Sequence, residues 1–245
     1  MTVDSTQMAT EFTAELQYGG TTIQTDTYSV ESYCKWAIIN NKPEKDLCAA
    51  LLNYGGYSQT YFGSTGTKAN ANLSTYDAQW SDPVQDTFTA NLDGYTSATS
   101  GTIPSEIAGE SGSQFFATLR LESQTVIRIY FNIAEGYSKE NLTFNVDDEP
   151  LTIGDAKEGD TGYPTYKNYV EIEIPASKLS DNYTITIKGS AETTGTVTYS
   201  ALAYVNYIVN DSSSGALDAL KNVCKALYFY SAEADKYTSW YRGTT

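Results

Sequence analysis

Residues 48–61, CAALLNYGGYSQTY, decide the fold, because a related stretch, CKALYFYSAEADKY, occupies residues 224–237. A second pair of related stretches precedes them, since TYSVESY at residues 27–33 returns as TYSALAY at residues 198–204. A segment that reads as a β-hairpin, with glycines near its turn, comes before each copy. The chain therefore contains a unit of strand, turn, strand, helix and helix twice.

Apolar residues in each copy follow the spacing of two amphipathic helices. In the first copy, Val30, Cys34 and Ile38 lie four residues apart and so share one helix face. The other predicted helices carry similar stripes of apolar and tyrosine residues, and the core stripe of the last helix includes Tyr230 and Tyr237. This pattern predicts one helical pair at residues 29–62 and another at residues 200–238.

Four residues depart from these stripes. Gly55 and Gly56 lie inside the second predicted helix, where each glycine costs about 1 kcal/mol relative to alanine. We expect a close backbone approach at this point, made by the other helical pair. Trp36 and its repeat equivalent Tyr207 lie off the apolar stripes, and their equivalent positions indicate a structural contact within the core or an interface.

The residues between the two copies read as β-strands. Apolar and polar residues alternate in five segments, which are 115–121, 127–133, 142–146, 170–174 and 183–187. Such alternation predicts antiparallel sheets with one solvated face, from which Arg120, Arg128, Tyr130 and Asn132 would project. The predicted fold class is therefore α+β, an antiparallel β-sandwich with two α-helical pairs clustered at one end.

We expect one compact module over residues 8–240. Its predicted parts are a β-hairpin (11–28), a helical pair (29–62), a loop (63–83), the β-sandwich (84–200) and a second helical pair (200–238). The hairpin either joins this sandwich or is the remnant of an upstream repeat.

Composition excludes several classes of function. The chain of 245 residues contains no histidine, so nucleophilic catalysis with an imidazole base is excluded. Zinc and non-haem iron sites also depend mainly on histidine. Fifteen Lys and Arg against 30 Asp and Glu give a formal net charge of −15, which disfavours nucleic acids and anionic membranes. We therefore expect no cofactor, no metal, no nucleic-acid partner and no membrane partner.

The three cysteines, Cys34, Cys48 and Cys224, allow at most one disulfide within the chain. Cys34 and Cys48 lie on the two arms of a predicted helical hairpin, where a bridge is sterically allowed. The alternative is that each cysteine is a small buried hydrophobic residue. Both alternatives are compatible with the sequence.

The repeated unit resembles a known motif. Residues 28–33, YSVESY, and 50–62, ALLNYGGYSQTYF, are similar to a β-sandwich and helical-pair module of large secreted proteins of anaerobic gut bacteria, many of which carry dockerins. Some members are starch adherence proteins of the cell-surface amylosome and bind starch without cleaving it. The resemblance implies a secreted or cell-surface location, neighbouring modules in a longer chain, and starch-type α-glucan as ligand. It implies no binding residue, because the second copy has Ser231-Ala232-Glu233 in place of Gly55-Gly56-Tyr57.

Glycan binding needs aromatic rings beside polar planar side chains. A Trp or Tyr ring offers a flat π-face to the C–H groups of a pyranose, and carboxylates, amides and lysines bind its hydroxyls. The best match is the loop that contains Tyr76, Asp77, Gln79 and Trp80. In the alternative interpretation, Trp80 plugs the bottom of the sandwich as a linker anchor.

Two further segments match this chemistry. One is a tyrosine-rich turn with Tyr163, Tyr166 and Lys167, which could equally cover the end of a sheet. The other is Trp240, which follows the last predicted helix and is either a sugar platform or a hydrophobic staple. Acidic turns offer oxygen ligands to calcium, but the EF-hand spacing is absent.

The sequence favours a non-catalytic carbohydrate-binding module that holds starch-type α-glucan in a cleft between sandwich and helices. The alternative is a structural spacer or protein-interaction module in a surface polysaccharide-degrading complex. It predicts that Trp80 and Tyr166 are buried and that there is no concave aromatic groove. An enzyme would need two carboxylates about 5–10 Å apart in a cleft, and no pair is marked by the sequence.

Overall fold

The computed structural model describes residues 3–85, 88, 90, 92, 94–95, 98–101, 103–108, 115–121, 125–156, 165–190, 194–211 and 214–243. These residues form a mixed α+β structure with antiparallel sheets and six helices, which confirms the predicted class at this level. The chain divides into two compact units. Unit 1 comprises Met1–Ala90 with Ile208–Thr245, and unit 2 comprises Asn91–Tyr207. The single module over residues 8–240 stays a prediction.

Unit 1 contains a hairpin and a helical cluster. Its elements are β1 (Phe12–Tyr18), β2 (Thr21–Tyr28), α1 (Val30–Ile39), α2 (Lys45–Tyr61), α3 (Leu73–Tyr76) and α6 (Asp218–Tyr241). α1 begins with a capping box, because the side chains of Ser29 and Ser32 each accept a hydrogen bond from the other's backbone N–H at 2.9 Å. The predicted hairpin and helices are confirmed at these positions.

The core of unit 1 forms where α1 and α6 pack against α2. Ala37 of α1, Leu52 of α2 and Leu227 of α6 are buried. The rings of Tyr54 and Tyr230, which are repeat equivalents, stack with centroids 5.7 Å apart and planes at 9°. The two copies of the repeated sequence therefore pack directly against each other.

Gly55 and Gly56 mark two close approaches to α2. A Cβ on Gly55 would lie 2.8 Å from Cγ of Met8, and a Cβ on Gly56 would overlap the side chain of Asn70. The predicted close approach is thus confirmed. The expected partner was wrong, because an N-terminal segment and the loop after α2 make these contacts instead of the other helical pair.

Unit 2 consists mainly of two antiparallel sheets. Its elements are β3 (Ala98–Gly101), α4 (Ser105–Ala108), β4 (Phe115–Leu121), β5 (Thr125–Phe131), β6 (Thr143–Val146), β7 (Glu149–Leu151), β8 (Gly154–Asp155), β9 (Asn168–Glu173), β10 (Tyr183–Lys188) and β11 (Thr194–Tyr199). The strand orders are β3-β11-β10-β6-β7 and β4-β5-β9-β8. Phe131 of one sheet and Phe144 of the other are buried with ring centroids 4.7 Å apart. The five predicted strand segments are confirmed.

One predicted solvated position is wrong. The side chain of Tyr130 on β5 is 0% exposed. Its hydroxyl accepts hydrogen bonds from Arg120 at 2.9 Å and Arg128 at 3.0 Å, and the rings of Tyr166 and Tyr169 lie within 6.3 Å. Long arginine stems and tyrosine rings cover this face of the sheet, so the alternating sequence did not predict its burial.

The last short helix, α5 (Ala201–Asn210), begins in unit 2 and ends in unit 1. Asn206 on α5 donates from its side-chain amide to the carbonyls of Leu92 at 3.0 Å and Tyr95 at 3.1 Å. Side-chain bonds to backbone carbonyls hold the segment before β3 against this helix.

The three cysteines are free and buried. This confirms the alternative of small buried residues over a disulfide between Cys34 and Cys48. Hydrogen bonding to Cys48 and burial raise the pKa of the Cys34 thiol above its ordinary value. Burial raises the pKa of the Cys224 thiol as well. Thiols in this state act as small core residues.

Candidate functional site

A groove in unit 1 lies between the start of α2 and the last turns of α6. Its volume is about 340 Å³, and its lining consists of Pro43, Asp46, Leu47, Glu233, Lys236, Tyr237 and Trp240. We call this the α2–α6 groove. Glu233, Lys236, Tyr237 and Trp240 are three or four residues apart, so helical geometry brings them onto one face of α6.

Aromatic rings form one wall of the groove. The rings of Tyr237 and Trp240 lie 5.6 Å apart between centroids, with an interplanar angle of 37°. Tyr241 continues this surface, with its ring 6.3 Å from that of Tyr237. Trp240 is 53% exposed, so much of its indole face is open to solvent.

Two further aromatic residues lie nearby on α1. The rings of Tyr33 and Trp36 are 5.8 Å apart, and both side chains are about half-exposed. Lys42 places its ammonium group 4.8 Å from the centroid of the Trp36 ring. Tyr33 donates to Glu44 Oε1 at 2.5 Å, and this bond, with burial and neighbouring charges that include Tyr237, raises the pKa of Tyr33 to about 12.

Charged side chains border the aromatic wall. Asp46 lines the groove on the α2 side. Glu233 and Lys236 form an ion pair at 2.6 Å on the α6 side, with the lysine largely exposed. The site therefore combines flat apolar rings with carboxylate acceptors and an ammonium donor, which are the groups that bind hydroxyl-rich ligands.

Among the predicted site residues that the structure describes, only Trp240 lines this groove. Tyr76 and Trp80 instead pack, partly buried, against the unit 1 core that includes Cys34 and Leu52. The backbone N–H of Gln79 donates to Asp77 Oδ1 at 2.9 Å, which makes a local turn. The loop is thus anchored, but to the helical core of unit 1 and not to the bottom of the sandwich, where the alternative interpretation placed Trp80.

The other predicted residues belong to unit 2. Tyr166 is partly buried beside Tyr130, and burial raises the pKa of its phenol. Lys167 has an exposed side chain, and its backbone N–H donates to Asn132 Oδ1 at 2.9 Å. Tyr163 lies outside the described residues. Tyr166 and Lys167 are therefore neighbours on a turn that Asn132 holds, within a different unit from the groove.

The groove residues other than Trp240 were missed by the sequence analysis. Trp36 was expected in a structural contact, as was Tyr207, but each is nearly half-exposed. The position of Trp36 off the apolar stripe of α1 was the sequence signal for its exposure. Tyr237 was assigned to the core stripe of α6, and only the packing of α6 against α2 places it beside Pro43 and Leu47.

Polar residues of the repeated segment in α2 have a structural role. Asn53 and Tyr57, one helical turn apart, donate to the two oxygens of Asp82 at 3.0 Å and 2.5 Å. Burial and this bond raise the pKa of Tyr57 to about 12. Asn70 donates to Asn53 at 3.1 Å, so the motif fastens the loop after α2 onto the helix.

Comparisons with protein-family models, with curated proteins and with solved structures find no match for this chain. In the described part of the chain, no helix is both long enough and apolar enough to cross a membrane. The described residues also contain no group of three or more acidic, cysteine or histidine side chains that could hold a metal ion.

Proposed function

We propose that this chain is a non-catalytic module that binds a neutral polysaccharide or oligosaccharide in the α2–α6 groove. One observation supports this proposal above the others: the adjacent, solvent-facing rings of Tyr237 and Trp240 in a groove bordered by Asp46, Glu233 and Lys236. A sugar ring would stack on the indole face, while the charged groups would bind its hydroxyls.

The shape and charge of the site favour a neutral glycan chain. A groove with a half-exposed Trp240 in its wall is open to solvent, so it can hold part of a polymer without enclosing it. The formal net charge of −15 would repel acidic polysaccharides. Tyr33 interacts electrostatically with Tyr237 of the groove, and its ring, paired with that of Trp36, would extend the surface for a second sugar unit.

The resemblance of residues 50–62 to starch adherence modules favours a starch-type α-glucan. It also supports a secreted or cell-surface location and neighbouring modules in a longer chain. The absence of histidine supports a binding role over a catalytic one, because general acid–base chemistry would then depend on carboxylates alone.

The finer fold is part of the same proposal. We propose that the two sheets of unit 2 pack face to face as a β-sandwich, for which the contact between Phe131 and Phe144 is the support. The arrangement of two helical pairs at one end of a sandwich stays a prediction from the sequence.

The test is affinity electrophoresis of single variants in gels that contain soluble starch, with other neutral glycans in parallel gels. We expect Trp240→Ala to weaken retention about tenfold, the loss of one stacking contact. Trp80→Ala, whose ring packs on the core, is the matched control and should keep its retention per folded molecule. If both variants bind as wild type, the groove is not the site. Reducing-end assays on the same protein would detect cleavage and so contradict a non-catalytic role.

A second candidate is a structural spacer or protein-interaction module. The partly buried state of Trp80 and Tyr166 favours it, because this hypothesis predicts that both rings are buried. Its other prediction, that there is no concave aromatic groove, disagrees with the α2–α6 groove. It predicts no retention on any glycan gel for the wild-type chain.

A further inference from the structure

The hairpin β1–β2 is unusually isolated. It forms a separate two-stranded sheet, and nearly all of its residues are exposed, including Leu16 at 59%. Tyr18 and Ile23 are also exposed on it. Two-stranded hairpins are at best marginally stable in water unless another element covers them. A partner that covers these exposed apolar side chains would therefore stabilise the hairpin.

The internal repeat identifies the equivalent hairpin, β10–β11. Phe12 pairs with Tyr28 in the first hairpin, and Tyr183 pairs with Tyr199 in the second. A serine follows each second strand, and its hydroxyl caps the next helix, since Ser200 Oγ accepts from Ala203 N–H at 3.1 Å as Ser29 does from Ser32. The two hairpins thus correspond residue by residue at the ends that lead into the helices.

The equivalent hairpin lies in the middle of a sheet. β10 pairs with β6, and β11 pairs with β3. Ile185 and Ile187 of β10 are both 0% exposed. Their equivalents on β1 are Ala14 and Leu16. Among the described residues, no strand pairs with β1 on the side away from β2. β1 therefore has the apolar residues of a central strand but the surroundings of an edge strand.

The two edges of β1–β2 differ. The buried positions Gly195 and Val197 of β11 correspond to Gln24 and Asp26 of β2. An inward-pointing charge is a common device that protects a sheet edge from further pairing. β1 has no such charge among Phe12, Ala14 and Leu16, so its edge is the one suited to pairing.

We propose that β1 is a docking edge for an antiparallel strand of the β6 type, supplied by another β-unit built like unit 2. In the register of β10 and β6, that strand would place apolar residues, as Val146 and Phe144 are placed, opposite Ala14 and Leu16. The polar Asn145 position would face Glu15, so no like charges meet. Main-chain hydrogen bonds would provide affinity, and the two apolar positions would provide register.

The experiment measures amide hydrogen exchange of the whole chain with and without a synthetic peptide of residues 141–151, which contains β6 and β7. In the chain alone, we expect β1 amides to exchange about 100-fold faster than those of β10. At about 1 mM, the peptide should slow exchange at residues 14–17, whereas a scrambled peptide should not.

Two variants separate docking at β1 from nonspecific binding. Leu16→Asp should abolish the slowing, because it places a charge at the apolar register position. Ile23→Asp on β2, also at an exposed apolar residue, should leave it unchanged. Equal effects of the native and scrambled peptides, or slow exchange of β1 in a monomer without peptide, would overturn the proposal. If light scattering finds that the chain is a dimer, a second copy of this chain covers the β1 edge, and the proposed occupant is wrong.

Discussion

α2 and α6 contain the two copies of the repeated sequence, yet equivalent faces of the two helices have different surroundings. In α2, Gly55 and Gly56 admit the N-terminal segment and the loop after the helix, and Tyr57 binds Asp82. In α6, Ser231, Ala232 and Glu233 take the equivalent positions, and Glu233 borders an open groove. The shared residues build the contact between the helices, and the residues that differ decide which side is covered.

The largest expected effect is from Gly56→Leu. The added side chain would overlap Asn70, and overpacking of this kind costs about 3 kcal/mol in the free energy of unfolding. The matched change in the other copy, Ala232→Leu, should cost less than about 1 kcal/mol. Chemical denaturation of both variants checks the difference, and equal losses would show that the two helix faces are equally packed.

A smaller loss of stability is expected for Tyr57→Phe. The variant removes the hydroxyl that donates to Asp82 at 2.5 Å and leaves a partly buried carboxylate with fewer donors, which costs about 1.5–3 kcal/mol. Glu233→Gln, at the equivalent position of α6, should change stability by no more than about 0.5 kcal/mol. A loss in Glu233→Gln as large as that in Tyr57→Phe would contradict the structural difference between the helices.

For glycan binding, we expect the variant in α6 to have the larger effect and the equivalent variant in α2 the smaller one. Tyr237→Ala is expected to weaken glycan retention about fivefold, because its ring supports the stacking surface of Trp240. Tyr61 is the repeat equivalent on α2 and is also partly exposed, but it does not line the groove. Tyr61→Ala should therefore bind as wild type in the same gels. Equal losses in the two variants would remove the groove from the binding site.

The smallest expected effect depends on pH. The hydrogen bond from Tyr33 lowers the pKa of Glu44 below its ordinary value of 4.5. The stability from this bond is therefore present above that value and is lost as the pH falls through the lowered pKa. The difference in unfolding free energy between wild type and Glu44→Gln should shrink in that acidic range. A difference that stays constant with pH would show that the bond does not contribute.

Periodicity predicted the elements well because it depends on local geometry. The spacing of Val30, Cys34 and Ile38 corresponds to α1, and the alternation of residues 127–131 corresponds to β5. The burial of Tyr130 could not be predicted in this way, since it depends on arginines and tyrosines from neighbouring strands. For the same reason, Trp80 resembled a ligand-binding residue in sequence but packs against the core.

The sequence by itself determined the repeat, the helices and strands, the antiparallel class and the exclusions that follow from lacking histidine. Each of these depends on residue identity or on spacing within a short segment. Tertiary structure alone decided which face of each helix is covered and that Trp240 is accompanied by Tyr237, Asp46 and Glu233. The physical reason is that a groove needs residues from segments far apart in the chain, and local periodicity contains no information about which of them meet.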